Sequence, residues 1–507
     1  MTQLILMLSQ LLVLPIQIRR WGDAATASWY AAIAIANITS IADCGLRLAG
    51  HAELVRSLRE RPGDKESAES FQQVWAWIRV LVLAVTALLI LANALYSVAW
   101  KHTPYQAWQG ALAVAIALET ILIVRIMYLD SLGFYRGAEA SYFTLAALRL
   151  ALSLVGLLVF HLRSNGLAWL YFASSILALG WQNRICHKAG TLGLFSRPRK
   201  LSLSVLTLAR HTLAEPCANW VRLSLPVLIT SALAPPAAVT TYVALRAVFG
   251  VARASIQQLA RVASVEYLRI RAVRRILRAE SILTAFMLLS VGFGTLFGAS
   301  VVIDNHRILS LWLKHFDNQM FQSIVASFAL ASPFLGYQIL LSLKFRIGEL
   351  GHVAGRLYAF VLYSGMFAGL ALVTGSFRSY LILLALAEIL LSASFMGFPK
   401  FASTASSQAG QRGFAAACCG TLLIVSLSFA VARIPGKIFS GISIVAFGWA
   451  SMSLVITAGL LTAFVIARNK ETWRELRTTR TQKSNTDSRT ISLLDKTGSS
   501  EPIALSS

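Results

Sequence analysis

Charge is scarce in this chain. Only 13% of its 507 residues are Asp, Glu, Lys or Arg, with 22 acidic side chains against 46 basic ones. A water-soluble protein carries about twice that fraction, so a soluble globular enzyme is excluded. Cysteine is nearly absent. Cys44, Cys186, Cys217, Cys418 and Cys419 are odd in number and two are adjacent, which argues against a disulfide framework and for small packing residues. The eight histidines form no pair at metal-ligand spacing, so neither a metal site nor a cofactor is expected. Long polar loops are missing too. The longest outer corner, Asp304 to Met320, has 17 residues, too few to cover an acceptor substrate, and no nucleophile–base or paired-carboxylate arrangement stands out. A basic leader and a small-residue cleavage site are lacking around Leu4–Ile18, which argues against a signal peptide.

What is present is apolar sequence, 56% of the chain. It recurs in runs long enough to cross a bilayer, so the chain reads as an all-α polytopic membrane protein of about 14 transmembrane helices. The expected spans are Leu4–Ile18, Ser28–Glu53, Val74–Ala99, Ala107–Leu129, Ala140–Leu162, Leu167–Cys186, Cys217–Ala234, Val239–Ala263, Ile282–Ile303, Phe321–Leu343, Val353–Val373, Tyr380–Phe398, Phe414–Val431 and Phe439–Ala467. The first is only about 22 Å long as a helix against a core of about 30 Å. Either that span is short or the true start lies upstream. A net charge of +24 in a soluble chain would suggest nucleic acid; here it reports orientation instead. Arg56 to Lys65, Arg184 to Arg210, Arg269 to Arg278 and the tail from Arg468 to Lys496 are basic, while the intervening corners are not. The basic loops and both termini are therefore expected on the cytoplasmic side.

Polar stripes interrupt the apolar helices. Tyr242, Arg246, Gly250, Arg253, Gln257, Arg261 and Ser264 repeat at steps of three and four and share one helix face. An arginine at mid-membrane costs about 3 kcal/mol and faces a bundle interior or wet cavity. Snorkelling to the cytoplasmic surface accounts for Arg261, but not for Arg246, about 22 Å deeper. A second stripe holds Asn37, Ser40, Asp43, Arg47 and His51. Asp43 and Arg47, one turn apart, either pair with each other or act separately, as a titratable gate and an anion ligand. A third holds Tyr142, Arg149, Ser153 and Gly156, and Glu119 and Glu388 are further intramembrane carboxylates. The candidate anion-binding set is thus Arg246, Arg253, Arg47 and Arg149 with Gln257 and Tyr242. Asp43, Glu119 and Glu388 are candidates for proton or sodium coupling.

A weak repeat divides the chain. Leu14-Pro15 is followed fifteen residues on by Tyr30, and Leu225-Pro226 sixteen residues on by Tyr242, each across a tight corner. The expected parts are a six-helix half at 1–190, a basic connector at 191–213 lying partly on the membrane surface, a second six-helix half at 214–400, two more helices at 401–467 and a polar tail at 468–507.

Two blocks carry a resemblance. Gln10 through Leu46 contains Leu14-Pro15, Arg20-Trp21-Gly22, Ser28-Trp29-Tyr30 and Asp43-Cys44-Gly45-Leu46; Asn219 through Glu266 contains Leu225-Pro226-Val227-Leu228, Ala238-Val239, Tyr242, Leu245-Arg246 and Val265-Glu266. They resemble the polysaccharide and O-antigen flippases of the multidrug/oligosaccharidyl-lipid/polysaccharide exporter (MOP) superfamily. The chain departs from the usual Tyr-Gly-x-Trp at Ala27-Ser28-Trp29, and from the usual Pro-Glu at Val265-Glu266. The resemblance implies two six-helix lobes in a V, two extra helices, and alternating access. It implies transport of undecaprenyl-pyrophosphate-linked oligosaccharide across the bacterial cytoplasmic membrane for O-antigen, capsule or exopolysaccharide, beside the glycosyltransferases and polymerase of that pathway. Forked guanidinium donors suit the pyrophosphate. The rivals are a drug or cation antiporter of the same superfamily, which wants an acidic aromatic cavity, a membrane-embedded polymerase or ligase, and a transport-dead assembly scaffold.

Overall fold

In the computed structural model, residues 2–396 are described, apart from 61–64, 100–106, 132–133, most of 189–199, 273–275, 304–317 and most of 333–349. The expected spans Phe414–Val431 and Phe439–Ala467 and the tail lie outside the described residues. All described secondary structure is helical. The helices are α1 Thr2–Ala36, α2 Leu46–Glu60, α3 Lys65–Ala99, α4 Ala107–Ser131, α5 Tyr135–Leu158, α6 Ser164–Lys188, α7 Leu203–Thr212, α8 Ala214–Leu223, α9 Leu225–Leu233, α10 Pro236–Ala272, α11 Ile276–Ile303, α12 Asn318–Ala331, α13 Leu350–Thr374 and α14 Phe377–Met396. Five of them contain stretches long and apolar enough to cross a membrane: Phe71–Ser97, Ala107–Leu129, Arg136–Leu158, Pro236–Gln257 and Val353–Thr374. Leu88, Leu95, Leu362 and Ile382 are exposed on these long helices or on α14, as side chains facing acyl chains are.

Element α1 is two helices folded back on each other at Gly22, whose φ of 77° and ψ of 176° reverse the chain. The left-handed φ is what requires glycine there, because a Cβ would meet nothing within 4 Å. The arms pack: the Tyr30 hydroxyl donates to Gln17 Oε1 at 3.1 Å, and the Trp21 and Trp29 rings lie 5.6 Å apart. The first arm starts at Thr2 rather than Leu4 and runs on through Arg19 and Arg20 to the corner. That adds about one and a half turns and brings it to roughly the bilayer's thickness.

The structure corrects the expected single helix Ser28–Glu53. It ends at Ala36, passes through a 3-10 turn at Asn37–Ser40, and restarts at Leu46 after two left-handed residues, Cys44 (φ 50°) and Gly45 (φ 77°). The reason is tertiary. A Cβ on Gly45 would stand 2.3 Å from the Ala209 carbonyl and 2.5 Å from the Leu213 nitrogen, so the chain breaks where it meets α7. The Gly45 carbonyl accepts from Thr212 Oγ1 at 2.8 Å. Likewise the expected span Cys217–Ala234 is broken at Ser224 into α8 and α9, because Pro226 has no N–H and its ring crowds the carbonyl four residues back.

The core joins the halves. Leu14, Ile18, Ala27 and Ala34 of α1 pack with Val227, Val239, Val243 and Phe249 of α9 and α10 and with Val302, Ile324 and Leu381 of α11, α12 and α14. At one end three corners meet. Trp21 Nε1 donates to the Leu162 carbonyl at 2.9 Å, Arg20 contacts His161, and Thr240 Oγ1 donates to Asp23 Oδ1 at 2.7 Å. At the other end α7, within the expected connector, lies between the halves, packed on α2 and α13, with Tyr358 donating to the Arg210 carbonyl at 2.6 Å. Leu203 and Leu206 on its outer face are exposed.

Candidate functional site

The break at Ser224 places the first member of the site. Its neighbour Leu223 presents a backbone carbonyl that accepts a hydrogen bond from Arg246 Nη1 on α10. Arg246 lies in electrostatic range of the Tyr242 and Tyr30 hydroxyls, one from each Leu-Pro hairpin. Among the described residues no carboxylate comes within salt-bridge distance of it. The first half closes on this point through Trp220 Nε1, which donates to the Ala34 carbonyl at 3.2 Å, and Asn37 Nδ2, which reaches Ser224 Oγ at 3.4 Å. The arginine therefore stands where the two hairpins touch.

Two turns further along α10, Arg253 Nη2 lies 3.6 Å from Glu388 Oε1 on α14. The same oxygen accepts from Arg222 Nε on α8, whose guanidinium also stacks 5.1 Å from the Phe360 ring. One carboxylate thus faces two guanidinium groups. Arg222 and Glu388 are nearly buried, whereas the Arg253 side chain is 22% exposed and is the member a ligand can reach. Gln257, one turn beyond, is exposed, and Ser264 is buried. Nothing is described of the Arg261 side chain.

Arg47 lies 3.2 Å from Asp43 Oδ2, so the pairing read from their spacing is present although the helix breaks beside it. Asp43 is buried, and its Oδ1 accepts from the Gly45 nitrogen at 3.0 Å. Arg47 and Arg222 both lie in electrostatic range of Glu215 on α8, which carries the charged file on toward Glu388. Arg149 stands in the first half. It pairs with Glu119 of α4, donates to Ser175 Oγ at 3.0 Å, and sits 5.1 Å over the Tyr171 ring of α6.

Of the nine residues singled out in the sequence, the structure brings together Arg246 with Tyr242, Arg253 with Glu388, Arg47 with Asp43, and Arg149 with Glu119. The Arg149–Glu119 pair belongs to the first-half bundle. Sequence reasoning missed Arg222, the closer partner of Glu388, and the placement of Tyr30 beside Arg246. Arg222 was within reach, since it stands four residues before the proline that kinks its helix. An open groove of about 400 Å³ lies elsewhere, between α2 and α7, lined by Glu53, Leu203, Ser204, Thr207, Leu208 and His211.

No protein-family model and no curated protein sequence matches the chain. Solved structures do. An inward-facing multidrug resistance MATE family transporter of the MOP superfamily aligns over 81% of this chain and 95% of its own, with a TM-score of 0.60 at 11% identity. The lipid II flippase MurJ in its inward closed conformation aligns over 92% and 97%, with a TM-score of 0.58 at 11% identity. The chain has the MOP transporter fold. A MATE protein in complex with MaD5 aligns over 82% and 94%, with a TM-score of 0.55 at 13% identity. At these identities the likeness is one of architecture.

Proposed function

We propose that the protein is a flippase that moves a polyprenyl-pyrophosphate-linked oligosaccharide across the bacterial cytoplasmic membrane by alternating access, for surface polysaccharide synthesis. One observation carries the reading: Arg246 stands between the two hairpins, held by a backbone carbonyl and in electrostatic range of two tyrosines, with no carboxylate on it among the described residues. A half-buried guanidinium without a carboxylate partner favours an anionic ligand. The pyrophosphate supplies oxygens for its forked donors, and Arg253, about 10 Å along the same face, takes the next contact in a stepwise handover. Arg47 and Gln257 extend that polar face. The sugar rides in the wet gap and the polyprenyl tail stays in lipid.

The likeness to a lipid II flippase in fold supports a lipid-linked cargo. The Arg246 guanidinium, with no carboxylate on it among the described residues, disfavours an organic cation, which is held by carboxylates and ring faces, and so weighs against a drug antiporter. The inner membrane location, cytoplasmic termini, the division at residues 190 and 213, the two helices at 401–467 and partnership with a polymerase and glycosyltransferases belong to this proposal. Coupling to protons or sodium through Asp43, Glu119 or Glu388 does too, and is abandoned if their amide variants keep the same pH and sodium dependence.

The test is flipping of a fluorescent undecaprenyl-pyrophosphate oligosaccharide in proteoliposomes. Arg246→Ala combined with Arg253→Ala is expected to abolish it at unchanged protein level. Undiminished flipping by that double variant rules the reading out.

A further inference from the structure

The outer face of α7 takes no part in the site at Arg246. Ser202 caps this helix, its side chain accepting from the Val205 nitrogen at 3.4 Å. Val205 and Ala209 are buried, whereas Leu203, Leu206 and Arg210, at steps of three and four, share the opposite face and are exposed, Leu203 by 80% and Leu206 by 47%. Lys200, just ahead of the cap, is exposed as well. Among the described residues neither Lys200 nor Arg210 pairs with a carboxylate. Two leucines thus lie between two cations.

Two neighbours fix the level of this face. In the first half, Val205 and Ala209 pack with Phe71, Val74 and Trp75 of α3, and the large apolar side chains of α3 become exposed at Val80 and Leu83. In the second, Tyr358 of α13 donates to the Arg210 carbonyl at 2.6 Å, and Leu362, one turn on, is exposed by 67%. On both helices the side chains that face acyl chains begin one or two turns from α7. That sets α7 at the rim of the apolar belt, where headgroups lie and where an apolar strip flanked by cations is at home. The other flank of α7 borders the groove that carries Glu53, a carboxylate that repels anions, so the charge complementarity belongs to the outer face. We propose that this outer face binds anionic phospholipid of the bilayer, with Leu203 and Leu206 in the acyl boundary and Lys200 and Arg210 on the headgroup phosphates. Because α7 packs on α2 and on α13, the bound lipid steadies a strut common to both halves. It is a resident ligand, independent of the transported one.

The test is amide hydrogen exchange across Leu203–Thr212 in the full-length protein, in nanodiscs of phosphatidylcholine alone and of phosphatidylcholine mixed with phosphatidylglycerol. Exchange is expected to be about tenfold slower with phosphatidylglycerol. Lys200→Gln with Arg210→Gln, both at exposed positions, is expected to erase that difference, and Leu203→Ser with Leu206→Ser to speed exchange in both kinds of disc. If the charge variant does not accumulate, Arg210→Gln alone is expected to reduce the slowing to about threefold. Equal wild-type rates in the two discs would overturn the proposal. So would a slowing that persists undiminished in the charge variant, since the lipid would then act elsewhere. Detergent micelles supply the last arm: the same slowing on adding inorganic phosphate would mean a free anion instead of a bilayer lipid, and full protection in micelles alone would mean that a second copy of the chain covers the face.

Discussion

The hairpin that begins at Leu14-Pro15 and the hairpin that begins at Leu225-Pro226 lie against each other, and each carries a tyrosine at the matching place, Tyr30 and Tyr242. Four residues after Tyr30 comes Ala34; four residues after Tyr242 comes Arg246. The asymmetry extends outward. In the first half, the arginines singled out face one carboxylate each, Arg47 with Asp43 and Arg149 with Glu119. In the second, Arg222 and Arg253 share Glu388, and Arg246 has a peptide oxygen instead. Similar scaffolds thus store charge differently: Arg47 and Arg149 are each neutralised, while Arg246 leaves a surplus positive charge where the halves touch. A transporter of anions needs that surplus on only one of its walls.

The comparison can be broken first at the seam. Gly45→Ala puts a Cβ against the α7 backbone in a left-handed residue. It is expected to cost about 3 kcal/mol or more, read as a collapse in folded protein by fluorescence size-exclusion. Arg246→Ala makes the second hairpin resemble the first. Flipping is expected to fall by roughly a hundredfold, in line with the loss of a charge-assisted contact to phosphate. Arg149→Ala with Glu119→Ala removes a balanced pair, and flipping is expected to drop no more than about threefold. An equal loss in both experiments would mean the halves do not differ in role. The smallest effect is expected from Glu388→Gln, which frees Arg253 from its resident carboxylate. Pyrophosphate binding, followed by calorimetry, should tighten by roughly fivefold. Removing Glu388 also strands Arg222, so Arg222→Met with Glu388→Gln provides the matched pair, with the same tightening expected.

Much of this architecture was written in local sequence. Apolar runs located the five long spans among the described helices, and the Leu-Pro hairpins located the corners, because span length and proline chemistry act within a few residues. The helix breaks at Asn37–Gly45 and Ser224 were not legible. Polar residues kept their three-and-four spacing straight through the first, and nothing local says that Gly45 will press on Ala209, 164 positions later. At the site, the stripe identified Arg246 and Arg253 as residues of one face, but which carboxylate answers which guanidinium is decided by packing between α8, α10 and α14. Glu388 was therefore recognised as intramembrane and acidic, without its two partners.

The kink between α8 and α9 has one more implication. By bending, that rod turns the Leu223 carbonyl into an understudy for a ligand, occupying Arg246 until something better suited arrives. Straightening the rod would withdraw the stand-in oxygen and leave the guanidinium seeking another. The bend in one helix and the phosphate binding proposed for the site are then a single mechanical variable, and a spectroscopic ruler across Ser224 would read both.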